Sequence, residues 1–247
     1  MQPFPWKLRL QHLGGAGIRV EHPQGILVFD PGDMPDEGAV VALTRNDALA
    51  VRGTLESARQ GRRPRVVADE ALLHWLSRHG AISGDVLPLN AEGIALAGLT
   101  YKAPDGPIER AVRAIRSPAA ALRRARLSLG VPATPSFAVE VTFPTGARLV
   151  HLGRALHDRT DSEWIERAAK RFTGVDWLIA GVEPKSHDAF QQHVARFSAT
   201  RTLVADLVSD PRGAFTPSKP VTPIVDRLMA DAREAYVFSS EASLRFE

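Results

Sequence analysis

Short apolar segments that alternate with amphipathic helical segments constrain this chain more than any other feature of its sequence. In Trp6–Leu13 every second residue faces the same side, and His12 shares the apolar side with three large hydrophobic residues, which predicts a half-buried strand. Ile26–Phe29 is apolar on both sides and ends at Asp30-Pro31, as expected for a central strand that is stopped by proline. The alternation predicts a mixed α/β domain with a sheet-rich core.

Helix-start and helix-stop signals divide the rest of the chain. Asp69 and Gly80 bracket one predicted helix, Thr54 is expected to cap another that ends at Gln60, and Thr160 opens a predicted capping box. Two more helices are predicted from Ser186 onward and over Thr222–Ala232. The other predicted strands are Ile18–His22, Val40–Thr44, Arg65–Ala68, Ile94–Leu96, Leu99–Ala103, Phe137–Phe143, Arg148–Leu152, Trp177–Ala180, Thr202–Leu207 and Tyr236–Phe238.

The composition excludes several kinds of chemistry. None of the 247 residues is cysteine, so a cysteine nucleophile, an iron–sulfur cluster and every thiolate zinc site are excluded. The eight histidines leave a histidine–carboxylate metal site open. The sequence begins without the apolar core of a signal peptide and has no apolar run of the roughly 18 residues that a spanning helix needs. The expectation is a cytoplasmic protein with no membrane partner.

Arginine supplies 26 of the 31 basic residues, although the formal net charge is only +3. A basic helical insertion is expected at about 105–134, where residues 106–130 of two predicted helices carry six arginines against the single acid Glu109. Such a stretch is typical of a solvated helix face, and it also fits a surface for an acidic partner or a nucleic acid, although it lacks aromatic residues for base stacking. The six arginines are Arg110, Arg113, Arg116, Arg123, Arg124 and Arg126.

Several local strings resemble the metallo-β-lactamase fold superfamily, and within it the small-molecule hydrolases related to ascorbate-6-phosphate lactonase. Residues 13–21 (LGGAGIRVE) and 26–32 (ILVFDPG) resemble the opening hairpin of that branch, and residues 40–44 (VVALT) resemble the strand before its main metal loop. The resemblance implies an α/β (α+β) fold with a single domain over residues 1–247. It also implies a four-layer αββα sandwich with the active site along one edge of the two sheets. Later strings that match in the same order are residues 66–73, 150–153 and 175–179.

The resemblance implies a metal centre whose ligands this sequence lacks. The family's Thr-His-x-His-x-Asp-His loop places imidazoles and a carboxylate around one or two divalent metals, which activate a bound water. Here the corresponding positions hold Arg45, Asp47, Leu49 and Ala50, and Arg154 replaces the carboxylate of the family's Gly-Asp turn. Arginine carries a permanent positive charge that repels a divalent cation. These departures predict a degenerate metal site with no metal and no other cofactor.

The alignment implied by the resemblance brings seven residues to the former metal cleft. These residues are expected either to form ion pairs that fill the place of the metal or to grip a phosphate or carboxylate through two arginines. His151 and His157 flank the former Gly-Asp turn and are the histidines best placed for a repurposed site, whereas His12 is expected to be a core histidine. The candidate cleft residues are Asp30, Arg45, Asn46, Asp47, Arg154, His157 and Asp206.

Two functions remain open at this point, and with them the question of whether the protein is an enzyme. One is a non-catalytic pseudoenzyme of the metallo-β-lactamase fold that binds a small anionic ligand or a protein partner. The other is a hydrolase for a small ester, lactone or phosphodiester, either metal-free or with an unusual ligand set from Asp47, His151, His157 and Asp206. Nucleic-acid binding through the arginine-rich helices is a third hypothesis.

Overall fold

The computed structural model describes the chain in several ranges, which form two compact units. The first unit takes the described residues up to 80 together with those in 130–135 and 243–246, and the second takes 95–101 and the described residues of 136–239. The helices predicted before Gly130, with their six arginines, lie outside the described residues, as do 105–129 as a whole. The described ranges are 8–14, 17–23, 25–31, 35, 37–45, 48–62, 64–80, 95–101, 130–132, 134–182, 186–206, 220–239 and 243–246.

A six-stranded mixed sheet organises the first unit, in the order β12-β1-β2-β3-β4-β5. The strands from β12 to β3 pair antiparallel, whereas β3, β4 and β5 run parallel to one another. Its strands are β1 (Leu8–Gly14), β2 (Gly17–His22), β3 (Gly25–Phe29), β4 (Val40–Ala42), β5 (Arg65–Val67) and β12 (Ser243–Phe246).

The period-two pattern predicted for β1 is confirmed. Leu8, Leu10 and His12 are fully buried, while Arg9 and Gln11 between them are partly exposed. The burial of apolar residues on one face fixes the register of the strand, because a slip by one residue would bury the arginine instead. His12 is therefore a core histidine, as predicted.

Two helices belong to the first unit: α1 (Ala48–Arg59) and α2 (Glu70–Arg78). The predicted cap of α2 is confirmed, since the Asp69 carboxylate accepts the Ala71 N–H at 3.0 Å. The prediction that Thr54 caps α1 is wrong. Thr54 is buried inside the helix, and its hydroxyl donates to the Ala50 carbonyl at 2.9 Å, the bond that threonine makes within a helix.

A second six-stranded mixed sheet organises the other unit, in the order β11-β10-β9-β8-β7-β6. The pairs β6·β7 and β7·β8 are antiparallel, and β8 to β11 run parallel. The two strands predicted at 94–96 and 99–103 are one strand, because Gly98 stays in the ladder opposite Val139. The strands are β6 (Ala95–Tyr101), β7 (Ser136–Thr142), β8 (Arg148–Gly153), β9 (Val175–Val182), β10 (Ala199–Asp206) and β11 (Glu234–Phe238).

Three helices complete the second unit: α3 (Ser162–Arg171), α4 (His187–Val194) and α5 (Thr222–Ala230). The capping box predicted from Thr160 is wrong by one residue. Asp161 is the cap, and its carboxylate accepts the Glu163 N–H at 3.0 Å. The apolar sides of these helices contribute to one buried core with β8, β9 and β10.

β12 is a strand that the sequence pattern did not predict, since Tyr236–Phe238 was expected to close the fold. It pairs antiparallel with β1, with Leu8 opposite Phe246 and Gln11 opposite Ser243. The predicted α/β class with two mixed sheets is confirmed, while the four-layer stacking and the single domain stay predictions. Within the described ranges no helix is long and apolar enough to cross a membrane.

Candidate functional site

The carboxyl ends of parallel strands place the predicted site residues of the first unit. Asp30 follows β3 directly, and Thr44 and Arg45 follow β4, the parallel neighbour of β3. Ligands in open α/β sheets bind outside such strand ends. The two turns therefore occupy a position that suits a binding site.

Asp30 is the centre of this group in the first unit. It is 4% exposed, and its backbone adopts a φ of 39°, a left-handed conformation that aspartate tolerates better than most residues. The backbone N–H of Thr44 donates to Oδ1 of Asp30 at 2.8 Å, and the Thr44 hydroxyl donates to Oδ2. The N–H of Asp30 itself donates to the Ala42 carbonyl at 3.0 Å. A buried carboxylate is thus held by hydrogen bonds that tie β3 to β4.

Arg45 supplies the countercharge. Its Nε lies 3.9 Å from Oδ2 of Asp30, and its side chain is 19% exposed. A buried carboxylate requires a partner of opposite charge, because burial of an isolated charge is costly. Arg45 and Asp30 therefore form an ion pair, and the prediction that such pairs fill a former metal cleft stays a prediction. Asn46 and Asp47, which follow in the sequence, lie outside the described residues.

The end of β8 forms the corresponding group in the second unit. Gly153 ends the strand with a φ of +56°, and the register between β8 and β9 shifts between His151 and Gly153. An added Cβ at Gly153 would lie 2.8 Å from the Tyr101 hydroxyl oxygen, so the turn or the phenol would have to shift to admit it. The N–H of the next residue, Arg154, donates to the same oxygen at 3.1 Å. This turn therefore requires glycine for two independent reasons.

Tyr101 is a site residue that the sequence analysis missed. It is buried at the end of β6, and its ring packs edge-on against Trp164 of α3 with 5.8 Å between the ring centroids. The indole N–H of Trp164 donates to the carbonyl of Thr100 at 2.6 Å. Tyr101 is therefore fixed from a second side. Its role depends on a contact distant in sequence, so no local motif marks it.

His157 lies in the loop that follows and is 1% exposed. The backbone N–H of Arg159 donates to its Nδ1 at 3.1 Å. Thr160 closes the loop, since its hydroxyl donates to the Ala155 carbonyl at 2.5 Å and its N–H to the His157 carbonyl at 3.1 Å. His157 is thus held in place by hydrogen bonds within its own loop.

Two further polar residues join this loop, and neither was predicted as a site residue. The Ser186 hydroxyl donates to Oδ1 of Asp158 at 3.2 Å, which links the loop to the start of α4. His193 of α4 has its pKa lowered by burial and by the positive charge of Arg196, while a hydrogen bond to the backbone of His157 raises it and the charge of His157 lowers it. The lowered pKa of His193 favours its neutral form.

The remaining predicted site residues, His151 and Asp206, lie on strands of the second sheet. His151 lies in β8 opposite Val139 and is buried, and Asp206 is the last residue of β10, opposite Val182 of β9. The structure brings Asp30 and Arg45 together in the first unit, and it places Arg154 and His157 in one loop of the second unit. The prediction that all of these residues share one cleft stays a prediction.

The donor chemistry of these residues does not fit a metal ion. Both oxygens of Asp30 accept bonds from Thr44, and Arg45 places a cation beside that carboxylate. Nδ1 of His157 already accepts the Arg159 N–H, so this nitrogen is engaged by the backbone of its own loop. In the part of the chain that the structure describes, no group of three or more His, Asp or Glu side chains is arranged to hold a metal.

Comparisons with known proteins show where this fold occurs. No protein-family profile matches the sequence, and no curated protein matches it. The fold is similar to that of Igni18, a metallo hydrolase from Ignicoccus hospitalis KIN4/I, with a TM-score of 0.66 and 10% identity over 98% of this chain and 99% of that chain. It is also similar to a protein from Thermotoga maritima assigned to the Zn-dependent hydrolases of the metallo-β-lactamase superfamily. There the TM-score is 0.53, with 12% identity over 94% of this chain and 99% of that chain.

A third similar structure is CmlA from Streptomyces venezuelae, a diiron β-hydroxylase. The TM-score is 0.66 with 13% identity, and the match covers 99% of this chain but 55% of CmlA. The resemblance that the sequence predicted is therefore confirmed for the fold: this chain has structural neighbours among the metallo-hydrolases of the metallo-β-lactamase superfamily. Because neighbours of this fold include both a hydrolase and a hydroxylase, the fold alone does not specify the reaction.

Proposed function

We propose that this chain is a non-catalytic protein of the metallo-β-lactamase fold that binds a small oxyanion, a phosphate or a carboxylate, through arginine. The observation that carries the proposal is the Arg45 side chain, which is 19% exposed beside the buried carboxylate of Asp30. Arg45 stands at the first position where the resemblance implies a metal-binding imidazole. A guanidinium at that position repels a divalent cation and attracts an anion.

The arrangement around Arg45 suits an anion for a physical reason. The carboxylate of Asp30 is almost completely buried and is engaged by Thr44, whereas the arginine side chain is 19% exposed. The carboxylate is therefore inaccessible to solvent, whereas part of the arginine side chain is accessible. The flat fork of N–H groups on arginine matches the paired oxygens of carboxylate and phosphate.

Arg154 is the second arginine that supports the proposal. It replaces the carboxylate that the resemblance implies at the end of β8, and it begins a turn that is fixed by Gly153 and Tyr101. Each arginine lies in its own unit, so the contribution of each to anion binding is tested separately.

A titration with inorganic phosphate and with acetate tests the proposal, followed by calorimetry or by amide chemical shifts. We expect Arg45→Gln to weaken binding by about tenfold, the effect of losing one charge-assisted contact. Arg59→Gln is the matched control, because Arg59 is an exposed arginine at the end of α1 in the same unit. Equal affinity of the parent and Arg45→Gln for both anions would refute the role of Arg45.

Metal analysis and an activity assay test the non-catalytic part of the proposal. Stoichiometric zinc, manganese or iron in purified protein would contradict it, because the proposal places arginine where ligands are needed. Turnover of an ester, lactone or phosphodiester that disappears in His157→Ala would favour the hydrolase instead. We expect no such turnover, since His157 is buried and its Nδ1 already accepts the Arg159 N–H.

A further inference from the structure

The turn after β8 is held by Tyr101, a residue that lies outside the turn. Three contacts involve this side chain: its oxygen accepts the Arg154 N–H, the same oxygen lies where a Cβ of Gly153 would be, and its ring packs edge-on against Trp164. Tyr101 lies 53 residues before Arg154 in the sequence. The phenol is therefore a long-range contact that holds the first residue of the turn.

The backbone explains why this support is needed. The register of β8 against β9 shifts just before Gly153, and such bulges redirect the side chains that follow them. The regular ladder of β8 ends there, so it no longer fixes the next residue. The hydroxyl oxygen of Tyr101 accepts the Arg154 N–H instead, and a buried N–H without an acceptor is costly.

The consequence concerns the direction of the Arg154 side chain. Its Cα–Cβ bond is set by the backbone of the turn, and the Tyr101 hydroxyl bonds to the amide of that same residue. Loss of the hydroxyl would release the amide and let the peptide unit rotate. A long side chain amplifies such a rotation at its guanidinium end.

We propose that Tyr101 is the positioning residue of Arg154, and that its hydroxyl orients the guanidinium for oxyanion binding. This inference rests on the proposed function and assigns to Tyr101 a role in affinity rather than contact with the anion. The structural part of this inference can be tested without a ligand, because it predicts that the protection of the Arg154 N–H depends on its hydrogen bond to the phenol oxygen.

A double-mutant cycle with inorganic phosphate as the probe tests this role. The four proteins are the parent, Tyr101→Phe, Arg154→Gln and the double variant, with affinities from amide chemical shifts at millimolar phosphate. We expect Tyr101→Phe to weaken phosphate binding by about fivefold, and the same change to have no effect once Arg154 is glutamine. Tyr236→Phe is the matched control, because Tyr236 is a half-buried tyrosine of β11 in the same unit whose hydroxyl donates to Glu234.

A second measurement keeps the inference testable without a ligand. Hydrogen exchange of the Arg154 amide should become at least about tenfold faster in Tyr101→Phe, while amides in the middle of β9 keep their protection. Comparable thermal midpoints for the parent and Tyr101→Phe would show that the fold persists.

Each outcome separates the two claims. Absence of phosphate and acetate binding in the parent would refute the proposed function and this inference with it. Phosphate binding of parental strength in Tyr101→Phe would refute the inference alone. A loss that is equally large in the Arg154→Gln background would also overturn it, because Tyr101 would then act through the fold in general.

Discussion

The two units solve the same structural problem by different chemistry. Each has a six-stranded sheet that changes from antiparallel to parallel pairing, and each carries its candidate residues where strands of the parallel part end. In the first unit the turn after β3 is held by a buried charge: Asp30 is bound by Thr44 and paired with Arg45. In the second unit the turn after β8 is held by neutral groups, namely Tyr101 and Gly153.

The two turns should respond differently to substitution. Where a turn is held by a buried ion pair, the free energy of unfolding depends on charge, because removal of one partner leaves the other charge uncompensated. Where a turn is held by closely packed neutral groups, the free energy of unfolding depends on volume, because an added methyl group has no room. The first turn should thus be sensitive to loss of charge, and the second should be sensitive to added atoms.

The largest effect is expected from Asp30→Ala. It removes the acceptor for two Thr44 donors, leaves Arg45 without its partner and places alanine at a φ of 39°. We expect a loss of about 3–5 kcal/mol in the free energy of unfolding, measured by urea denaturation. Asp30→Asn keeps an acceptor oxygen and tolerates the backbone conformation, so it should cost less. A change below about 1 kcal/mol in the free energy of unfolding for Asp30→Ala would contradict the view that a buried charge holds the first turn.

A smaller effect is expected from Gly153→Ala. The left-handed backbone and the 2.8 Å approach to the Tyr101 oxygen should together cost about 2–3 kcal/mol in denaturation experiments. Gly174→Ala is the matched control, because Gly174 has a φ of +65° and open space around its Cβ position, so it should cost only about 1 kcal/mol. In a Tyr101→Phe background the cost of Gly153→Ala should shrink toward that of the control. An undiminished cost would show that the hydroxyl is not the obstacle.

The smallest effect concerns the pH dependence of stability. Burial, the charge of Arg196 and that of His157 outweigh the hydrogen bond to the His157 backbone, so that the pKa of His193 lies below its ordinary value of 6.5. The folded protein then binds fewer protons at this group than the unfolded chain. The resulting stabilisation is complete above pH 6.5 and is lost as the pH falls below it.

His193→Gln should therefore reduce the difference in stability between pH 7.5 and pH 5.5, as measured by urea denaturation at each pH. His74→Gln is the control, since His74 is an exposed histidine on α2 in the other unit. A pH dependence that stays the same in His193→Gln would assign the effect to other groups, among them His22 of β2, whose pKa burial also lowers.

Local patterns predicted much of the fold because they follow from nearest neighbours in sequence. The alternation in β1 placed His12 in the core, and Asp69 marked the start of α2. The prediction for Thr54 was wrong because the sequence does not distinguish two roles of threonine. One caps the start of a helix, and the other donates to a carbonyl within the helix, as Thr54 does. β12 was missed because four residues carry little pattern of their own, and its pairing with β1 supplies the rest.

The candidate site was predictable only where the resemblance aligned it. Asp30 and Arg45 were predicted because strings at the ends of β3 and β4 match a known arrangement, and the structure brings them together. Tyr101 could not be found in this way, since its partners Gly153 and Arg154 lie at the end of another strand of its sheet, far along the chain. Contacts of that kind depend on strand order, which a single sequence does not encode locally.

The pairing of β12 with β1 has a consequence for association between chains. β12 covers one edge of β1, and the Arg9 side chain donates to the Ser243 hydroxyl at 3.0 Å, across 234 residues of sequence. Whenever β12 detaches, that edge of β1 presents unpaired N–H and C=O groups, which is the surface that recruits foreign strands. The four residues of β12 therefore keep this edge of β1 from pairing with another chain.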